Sequence, residues 1–216
     1  MKIIVFILAV YFLVFFPIAN LAFPGNRFIY AYWHIFYFSS VLVLAFALKL
    51  ISLQQLGFNN FNKKIALILG LLPIIIVPLL DDLLIETGFS QSEMFAGAEL
   101  RNPAEMGFSK SLTVNIFTTT LISFIDQLFV TGLIVSHLLK KQHAGQAMIG
   151  GGLLYSIIHF KPSLGNLFLG MISVALLRTT DSIMVPMLVH AGFAIAEVLI
   201  VFQYPRLISL LIFRIS

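Results

Sequence analysis

Ser123–Val135 reads SFIDQLFVTGLIV, and this stretch indicates whether the protein folds in water or in a lipid bilayer. Apolar side chains follow one another as they do in a membrane-crossing helix, yet Asp126 and Gln127 stand in the middle of the run. A charged side chain near the centre of a bilayer costs about 2.5–3.5 kcal/mol on insertion scales, so it is rarely found there without a partner or a task. The stretch therefore predicts a membrane helix that carries a buried polar site.

The composition indicates the same solvent for the whole chain. Of the 216 residues, 60% are hydrophobic and only 10% are charged, and the mean hydropathy is +1.03. A soluble domain has roughly 25% charged residues, so we expect an integral membrane protein. Cysteine is absent, which excludes disulfides, thiolate metal sites and a cysteine nucleophile. The net charge of +4 is scattered without a basic block, so no nucleic-acid partner is expected.

Apolar runs divide the chain into about seven predicted membrane spans. No internal repeat or low-complexity tract is visible, so residues 1–216 are expected to form a single membrane domain. The predicted fold class is an all-α, polytopic transmembrane helix bundle. Asp81 and Asp82 are expected to end the third span, and Pro205–Ser216 is too short to cross and is expected at the membrane interface. The predicted spans are Ile3–Phe23, Phe28–Leu53, Ile65–Leu80, Leu112–Leu139, Gly145–Phe160, Leu164–Leu177 and Ile183–Tyr204.

The fifth and sixth predicted spans are shorter than the roughly 20 residues that a crossing helix needs. Short helices leave irregular backbone at membrane depth, which is tolerated only where protein or a wet cavity surrounds it. The turn between them is His159–Asn166, and we therefore expect His159 to lie recessed in the bundle. Within the fifth span, Ile149–Leu154 reads IGGGLL, and its three consecutive glycines favour close helix packing over a hinge.

Several polar side chains inside the predicted spans are candidates for a common site: Asp126, Gln127, Thr131, His159, His190 and Glu197. Gln127 and Thr131 are four residues apart and share a helix face, and so do His190 and Glu197, which are seven apart. Two imidazoles and a carboxylate in one bundle could activate water, bind a metal or relay protons. The alternative is that each side chain only joins neighbouring helices by hydrogen bonds. His34 has no visible partner and is expected to be structural.

Three short motifs in the second half of the chain resemble those of one known family. DQLFVTG, Asp126–Gly132, stands where the family has Glu-Glu-x-x-x-Arg on a helix, usually continued by Gly. YSIIH, Tyr155–His159, fits an aromatic residue, three others and then His. RTTDSIMVPMLVHA, Arg178–Ala191, matches the small-residue turn that leads into a His-x-x-x-Asn motif. Over a core of residues 112–195, the chain thus resembles the CAAX-prenyl-protease and bacteriocin-processing (CPBP, or Abi) intramembrane proteases.

The resemblance implies roles for particular residues. In the family, the first Glu and the two His are thought to activate a water that attacks a peptide bond near the membrane. Those places hold Asp126, His159 and His190, which are therefore the candidate catalytic residues. The resemblance and the helix faces add five supporting residues: Gln127, Thr131, Tyr155, Ala194 and Glu197.

The chain departs from the family pattern at four of the six motif positions. The first Glu is Asp126, the second Glu is Gln127, the Arg is Thr131 and the Asn is Ala194. Gln127 and Thr131 are thus neutral side chains that can still hydrogen-bond, at the two places where the family has an ion pair. Removing only one partner of a buried ion pair would cost about 3–5 kcal/mol. Ala194 lacks an amide that could bind an oxyanion, a loss worth roughly 2.7–4 kcal/mol in a comparable site. A degenerate first motif of this kind predicts a weakly active or non-catalytic member.

Three classes of function remain open from the sequence. The first is a non-catalytic protein that binds or positions a membrane or envelope partner, or gives immunity to a peptide toxin. The second is a CAAX-type intramembrane endopeptidase in which Asp126, with His159 and His190, activates water. The third is a proton-relay or transport protein that also uses Glu197, and it should show inverted repeats, of which none is visible.

The composition and the family resemblance together predict the location, the partners and the cofactors of the protein. We expect a multi-pass protein of the bacterial plasma membrane, in contact with the lipid bilayer and with a membrane or envelope protein or a peptide substrate. No cofactor is expected, and a divalent metal held by Asp126, His159 and His190 is the alternative.

Overall fold

In a computed structural model of the protein, residues 2–56, 58, 62–88, 109, 111–139, 141–160 and 163–211 are described. These residues form seven helices and no strand, which confirms the predicted all-α bundle. A 3₁₀ segment, Pro205–Leu211, follows the last helix. The helices are α1 (Lys2–Ala22), α2 (Arg27–Ala47), α3 (Lys63–Glu86), α4 (Leu112–Leu138), α5 (Ala144–Ile158), α6 (Leu164–Thr180) and α7 (Met184–Gln203).

Length and composition allow four of the described helices, α1, α3, α4 and α7, to cross a membrane. Helices α5 and α6, and the apolar part of α2, are shorter. Large apolar side chains cover the outer surface, and Leu13, Leu21 and Phe117 are 76%, 80% and 70% exposed. In water such a surface would aggregate, whereas lipid solvates it. The protein is therefore an integral, multi-pass membrane protein.

Polar caps explain where three of the helices begin. The side chains of Asn26 and Asn62 each accept hydrogen bonds from two backbone N–H groups in the first turns of α2 and α3. Ser163 does the same for one N–H group of α6. These side chains satisfy donors that an uncapped helix leaves open. The helix starts consequently lie within a few residues of the predicted ones.

The prediction that Asp81 and Asp82 end the third helix is wrong. Helix α3 continues to Glu86, and Asp81 is buried inside it. Its Oδ1 lies 3.2 Å from Nε of Arg206, which supplies the opposite charge that a buried carboxylate needs. An ion pair with a residue far along the chain thus lets the helix run through two acidic positions.

The C-terminal segment, expected at the membrane interface, packs on the bundle. Leu207 and Ile208 are fully buried in a small cluster with Val77 of α3 and with Ala196 and Ile200 of α7. Residues 212–216 of the predicted segment lie outside the described residues.

Close packing of α5 against α6 confirms the interpretation of the IGGGLL stretch. Helix α5 runs without a break through its glycines, and Gly151 and Gly152 face α6 at its Gly170. A Cβ atom on Gly170 would lie 2.7 Å from Cβ of Tyr155 and 2.8 Å from the carbonyl oxygen of Gly151. Since ordinary contacts begin at 3.4 Å, only glycine permits this separation of the two helices.

An aromatic layer joins the first two helices to α4 and α5. Tyr11 lies in a π-helical turn of α1, is fully buried, and stacks on Trp33 of α2 with ring centroids 5.1 Å apart. Phe38 of α2 stacks on Phe129 of α4 at 4.0 Å. This layer belongs to the main hydrophobic core, and it brings α1 and α2 against the polar residues of α4 and α5.

Candidate functional site

Asp126 and His159 meet where α4 changes its helical form and where α5 ends. Asp126 is the last residue of the α-helical part of α4, and a π-helical stretch, Gln127–Val135, follows it. His159 comes directly after Ile158, the last residue of α5. Oδ2 of Asp126 lies 3.1 Å from Nε2 of His159, with the two side chains 6% and 13% exposed. The contact is thus a nearly buried carboxyl–imidazole pair.

The second nitrogen of His159 determines how many protons the pair holds. Nδ1 lies 2.9 Å from the backbone carbonyl oxygen of Tyr155. A carbonyl oxygen only accepts, so Nδ1 carries a proton and donates. The contact between Nε2 and Asp126 then contains one further proton, placed either on the imidazole or on the carboxyl group. The pair can therefore move a proton between its two members without a change in the surrounding hydrogen bonds.

The other oxygen of Asp126 is available to accept hydrogen bonds. Oδ1 is buried and has no hydrogen-bond partner among the described residues. Buried polar atoms in folded proteins are nearly always satisfied by protein or by water, and each exception calls for an explanation. An unsatisfied carboxyl oxygen beside an imidazole is a place where a water or a substrate group can bind.

A second, neutral network lies next to this pair. The side chain of Gln127 is fully buried. Its amide donates from Nε2 to Nδ1 of His190 at 3.2 Å, and its Oε1 accepts from the Thr131 hydroxyl at 2.8 Å. Because an amide nitrogen only donates, Nδ1 of His190 accepts, and His190 is a neutral imidazole with its proton on Nε2. The predicted shared face of Gln127 and Thr131 is confirmed.

Tyr155 connects the two imidazoles. The ring of Tyr155 stacks on that of His159, with centroids 4.4 Å apart and planes 26° apart. The same ring meets His190 edge-on at 6.0 Å. Tyr155 is 2% exposed, so its ring contacts both imidazoles inside the bundle. Asp126, His159 and His190 therefore belong to one cluster, in which the first two are in direct contact.

The turn between α6 and α7 sets the position of His190. Arg178 donates from its guanidinium to the carbonyl oxygens of Leu139 and Gln142, at 2.7 and 2.9 Å, just after α4 ends. The Ser182 hydroxyl accepts from the backbone N–H of Met184 at 3.2 Å, at the start of α7. The Arg178 bonds tie the last turn of α6 to the segment after α4, and the Ser182 bond caps the first turn of α7, the helix on which His190 contacts Gln127.

Comparison with known families assigns the segment that contains this cluster. Residues 108–196 match the family model described as type II CAAX prenyl endopeptidase Rce1-like, the group that includes the CPBP proteins. This segment belongs to the CPBP family. No curated protein and no solved structure matches the chain.

The CPBP segment contains all the motif positions considered above. Of the supporting residues, Ala194 is buried at 3% exposure on α7 and brings no polar atom to the cluster. Glu197 lies just beyond the matched residues and is partly buried on α7. The cluster in this segment therefore lacks a side-chain amide at position 194.

A divalent metal at Asp126, His159 and His190 was the alternative, and all three are among the described residues. No group of three or more His, Asp or Glu side chains among them is arranged to hold a metal ion. The candidate ligands face other partners: the nitrogens of His159 face Asp126 and the Tyr155 carbonyl, and Nδ1 of His190 faces the Gln127 amide.

Two residues beside the cluster lie outside the matched segment: the sequence did not single out Tyr11, and His34 was expected to be only structural. His34 of α2 lies with its ring centroid 6.0 Å from that of His159. Tyr11 of α1 donates its hydroxyl to the carbonyl oxygen of Ile158 at 2.8 Å, directly before His159. An ionisable residue inside a membrane span is a candidate for function by default, and this signal could have identified His34. Nothing in the sequence around Tyr11 distinguishes it from the other aromatic residues of α1.

Proposed function

We propose that the protein is a slow intramembrane endopeptidase, with Asp126 as general base and His159 as its proton-sharing partner. The observation that supports this best is the Asp126 side chain itself. One carboxyl oxygen is in contact with an imidazole, and the other is buried without a partner among the described residues. A purely structural carboxylate would be expected to have both oxygens satisfied.

The proposed reaction is the hydrolysis of a peptide bond. A water bound at Oδ1 of Asp126 gives one proton to the carboxylate while its oxygen forms a bond to the carbonyl carbon of the substrate. The carbon–nitrogen bond then breaks, and the departing nitrogen takes up the proton held by the Asp126–His159 pair. The products are a carboxylic acid and an amine, and the pair returns to its starting protonation state.

His190 would act in this reaction as a donor and not as a base. Its proton is on Nε2, because Nδ1 accepts from Gln127. A neutral N–H group can stabilise the negative charge that develops on the substrate oxygen. Ala194 supplies no amide for this purpose, and the removal of one such donor costs about 10²–10³ in rate in a comparable enzyme. The rate is therefore expected to be low.

The proposed substrate is a peptide in, or attached to, the membrane. The cluster lies inside a bundle whose outer surface suits lipid, so a substrate reaches it most directly from the bilayer. The description of the matched family names a CAAX prenyl endopeptidase. Farnesylated CAAX peptides are accordingly the first substrates to test, with unmodified peptides of the same sequence as a comparison.

The test compares three forms of position 126 in liposomes. Wild type, Asp126→Asn and Asp126→Glu are incubated with the peptides in H₂¹⁸O, and the products are measured by mass spectrometry. In parallel, new amino termini are mapped in the membranes of cells that express each form. We expect ¹⁸O-labelled cleavage products from wild type, a loss of about 10²–10⁴-fold in Asp126→Asn, and activity in Asp126→Glu, which keeps the carboxylate. Identical products and termini from wild type and a folded Asp126→Asn would refute the proposal.

A second candidate function is non-catalytic binding, and the neutral network favours it. Gln127, Thr131 and His190 satisfy one another, and Ala194 is apolar, as expected of a bundle that has kept its fold without its reaction. In that case the protein would bind or position a membrane or envelope partner, or give immunity to a peptide toxin, in the plasma membrane of a bacterium. Asp126→Asn would then preserve the phenotype, because Asn keeps the size and the hydrogen-bonding ability of Asp. The same variant therefore separates the two candidates.

A further inference from the structure

His34 lies against the Asp126–His159 pair, although it comes from a helix outside the matched family segment. Its ring meets that of His159 edge to face, with centroids 6.0 Å apart and planes 70° apart. Phe38, one turn later on α2, makes the same kind of contact with both imidazoles, at 5.8 Å to His34 and 6.1 Å to His159. Phe38 is fully buried against Phe129 of α4, so the position of α2 beside the pair is determined by core packing.

The Asp126 carboxyl needs favourable electrostatic partners because it is nearly buried in an apolar bundle. The imidazole in contact with it is that of His159, and the ring of His34 lies against that imidazole. His190 accepts from the Gln127 amide and is neutral in that arrangement. His34 is therefore the imidazole that borders the Asp126–His159 pair from another helix.

We propose that His34 is a positioning residue of the site, which holds the His159 imidazole against Asp126 and is contributed by a helix that does not belong to the family segment. Its effect passes through the orientation of the His159 imidazole. The proposal does not require hydrolysis, and neither measurement below uses a substrate. A protein without peptidase activity can therefore still satisfy it.

The first measurement is a double-mutant cycle between positions 34 and 126. Thermal unfolding of the full-length protein in detergent is followed by circular dichroism, because Trp33 is adjacent to the altered residue. We expect His34→Gln to lower Tm by about 2–4 °C when Asp126 is present and to have no effect in Asp126→Asn. His143→Gln is the matched control: this imidazole is exposed before α5 and should leave Tm unchanged in both backgrounds. An equal effect of His34→Gln in both backgrounds would mean that His34 only fills space, and would overturn the proposal.

A second variant and a spectroscopic measurement cover the case in which His34→Gln does not fold. His34→Phe keeps an aromatic ring against His159 and Phe38 but removes both nitrogens, and it replaces His34→Gln in the same cycle. Independently, ¹⁵N-histidine spectra are compared between wild type and Asp126→Asn. The ring nitrogens of His34 should shift when the carboxylate is removed, and those of His143 should not. Unchanged His34 signals would also overturn the proposal.

Discussion

Gly170 offers a test of how helix packing controls the site, since its replacement by alanine adds one methyl group between α5 and α6. That methyl carbon would lie 2.7 Å from Cβ of Tyr155 and 2.8 Å from both the carbonyl oxygen of Gly151 and Cα of Gly152. Ordinary contacts begin at 3.4 Å, and two of these neighbours are backbone atoms that cannot rotate away. The helices must therefore separate locally by about 0.6 Å or more, because a close-packed interior has no spare room.

The expected effect is a loss of both stability and site geometry. Overpacking of this kind typically costs about 1–3 kcal/mol. Helix α5 also carries Tyr155 and, at its end, His159, so its displacement lengthens the 3.1 Å contact between His159 and Asp126. A misplacement near 1 Å can cost about 10²-fold in an enzymatic rate. Gly170→Ala should thus reduce any activity that depends on Asp126, although it changes no polar residue.

The matched control is Gly145→Ala, at the exposed start of the same α5, where an added Cβ meets nothing within 4 Å. Both substitutions gain the helix propensity of alanine, up to about 1 kcal/mol, so their difference isolates the packing effect. Unfolding in detergent is followed by the fluorescence of the single tryptophan, Trp33. We expect Gly170→Ala to melt below Gly145→Ala by about 2–4 °C for each kcal/mol of overpacking. A Gly170→Ala protein as stable as the control, with the same activity, would refute the reasoning.

Two further predictions concern contacts between distant parts of the chain. Tyr11→Phe removes the hydroxyl that donates to the Ile158 carbonyl oxygen. Because that oxygen loses this donor, the free energy of unfolding should fall by about 1–3 kcal/mol. A denaturant titration that shows no change would contradict this. Arg206→Met leaves Asp81 buried without its counter-charge and should destabilise the protein by about 3–5 kcal/mol. Asp81→Leu in the Arg206→Met background should restore most of the lost Tm, and a double variant no more stable than Arg206→Met would show that the ion pair is not the cause.

The sequence predicted the bundle well because hydropathy is a property of single helices. A run of apolar residues between turns can be recognised without knowledge of its neighbours in space, and several helix starts are marked by local caps such as Asn62 and Ser163. The prediction that Asp81 ends its helix failed because it depended on a neighbour from another part of the chain. Its charge is compensated by Arg206, which lies more than a hundred residues later, and no local pattern reveals such a pairing.

Site residues could be predicted where the sequence contains motifs of fixed spacing. They could not be predicted where only the packing of helices brings residues together. Asp126, His159 and His190 could be expected to meet because each stands in a motif of known order, and the structure does bring them together. The first two helices have no such motif. Nothing in an apolar run of aromatic residues indicates which of them faces another helix, so the contact of Tyr11 with the Ile158 carbonyl and that of His34 with His159 appear only in the folded bundle.

The π-helical stretch after Asp126 alters the geometry of everything that follows it on α4. A π turn closes its hydrogen bonds over five residues where an α turn uses four, so each such turn takes in extra chain for nearly the same rise. A helical wheel drawn at a constant 100° per residue through α4 would therefore place Ser136–Leu138 on the wrong side relative to Leu112–Asp126. Loss of one residue from Gln127–Val135 could be absorbed by a return to α-helical bonding, with every backbone N–H still paired. The end of α4 would nevertheless face in another direction, and the Leu139 carbonyl would rotate away from Arg178.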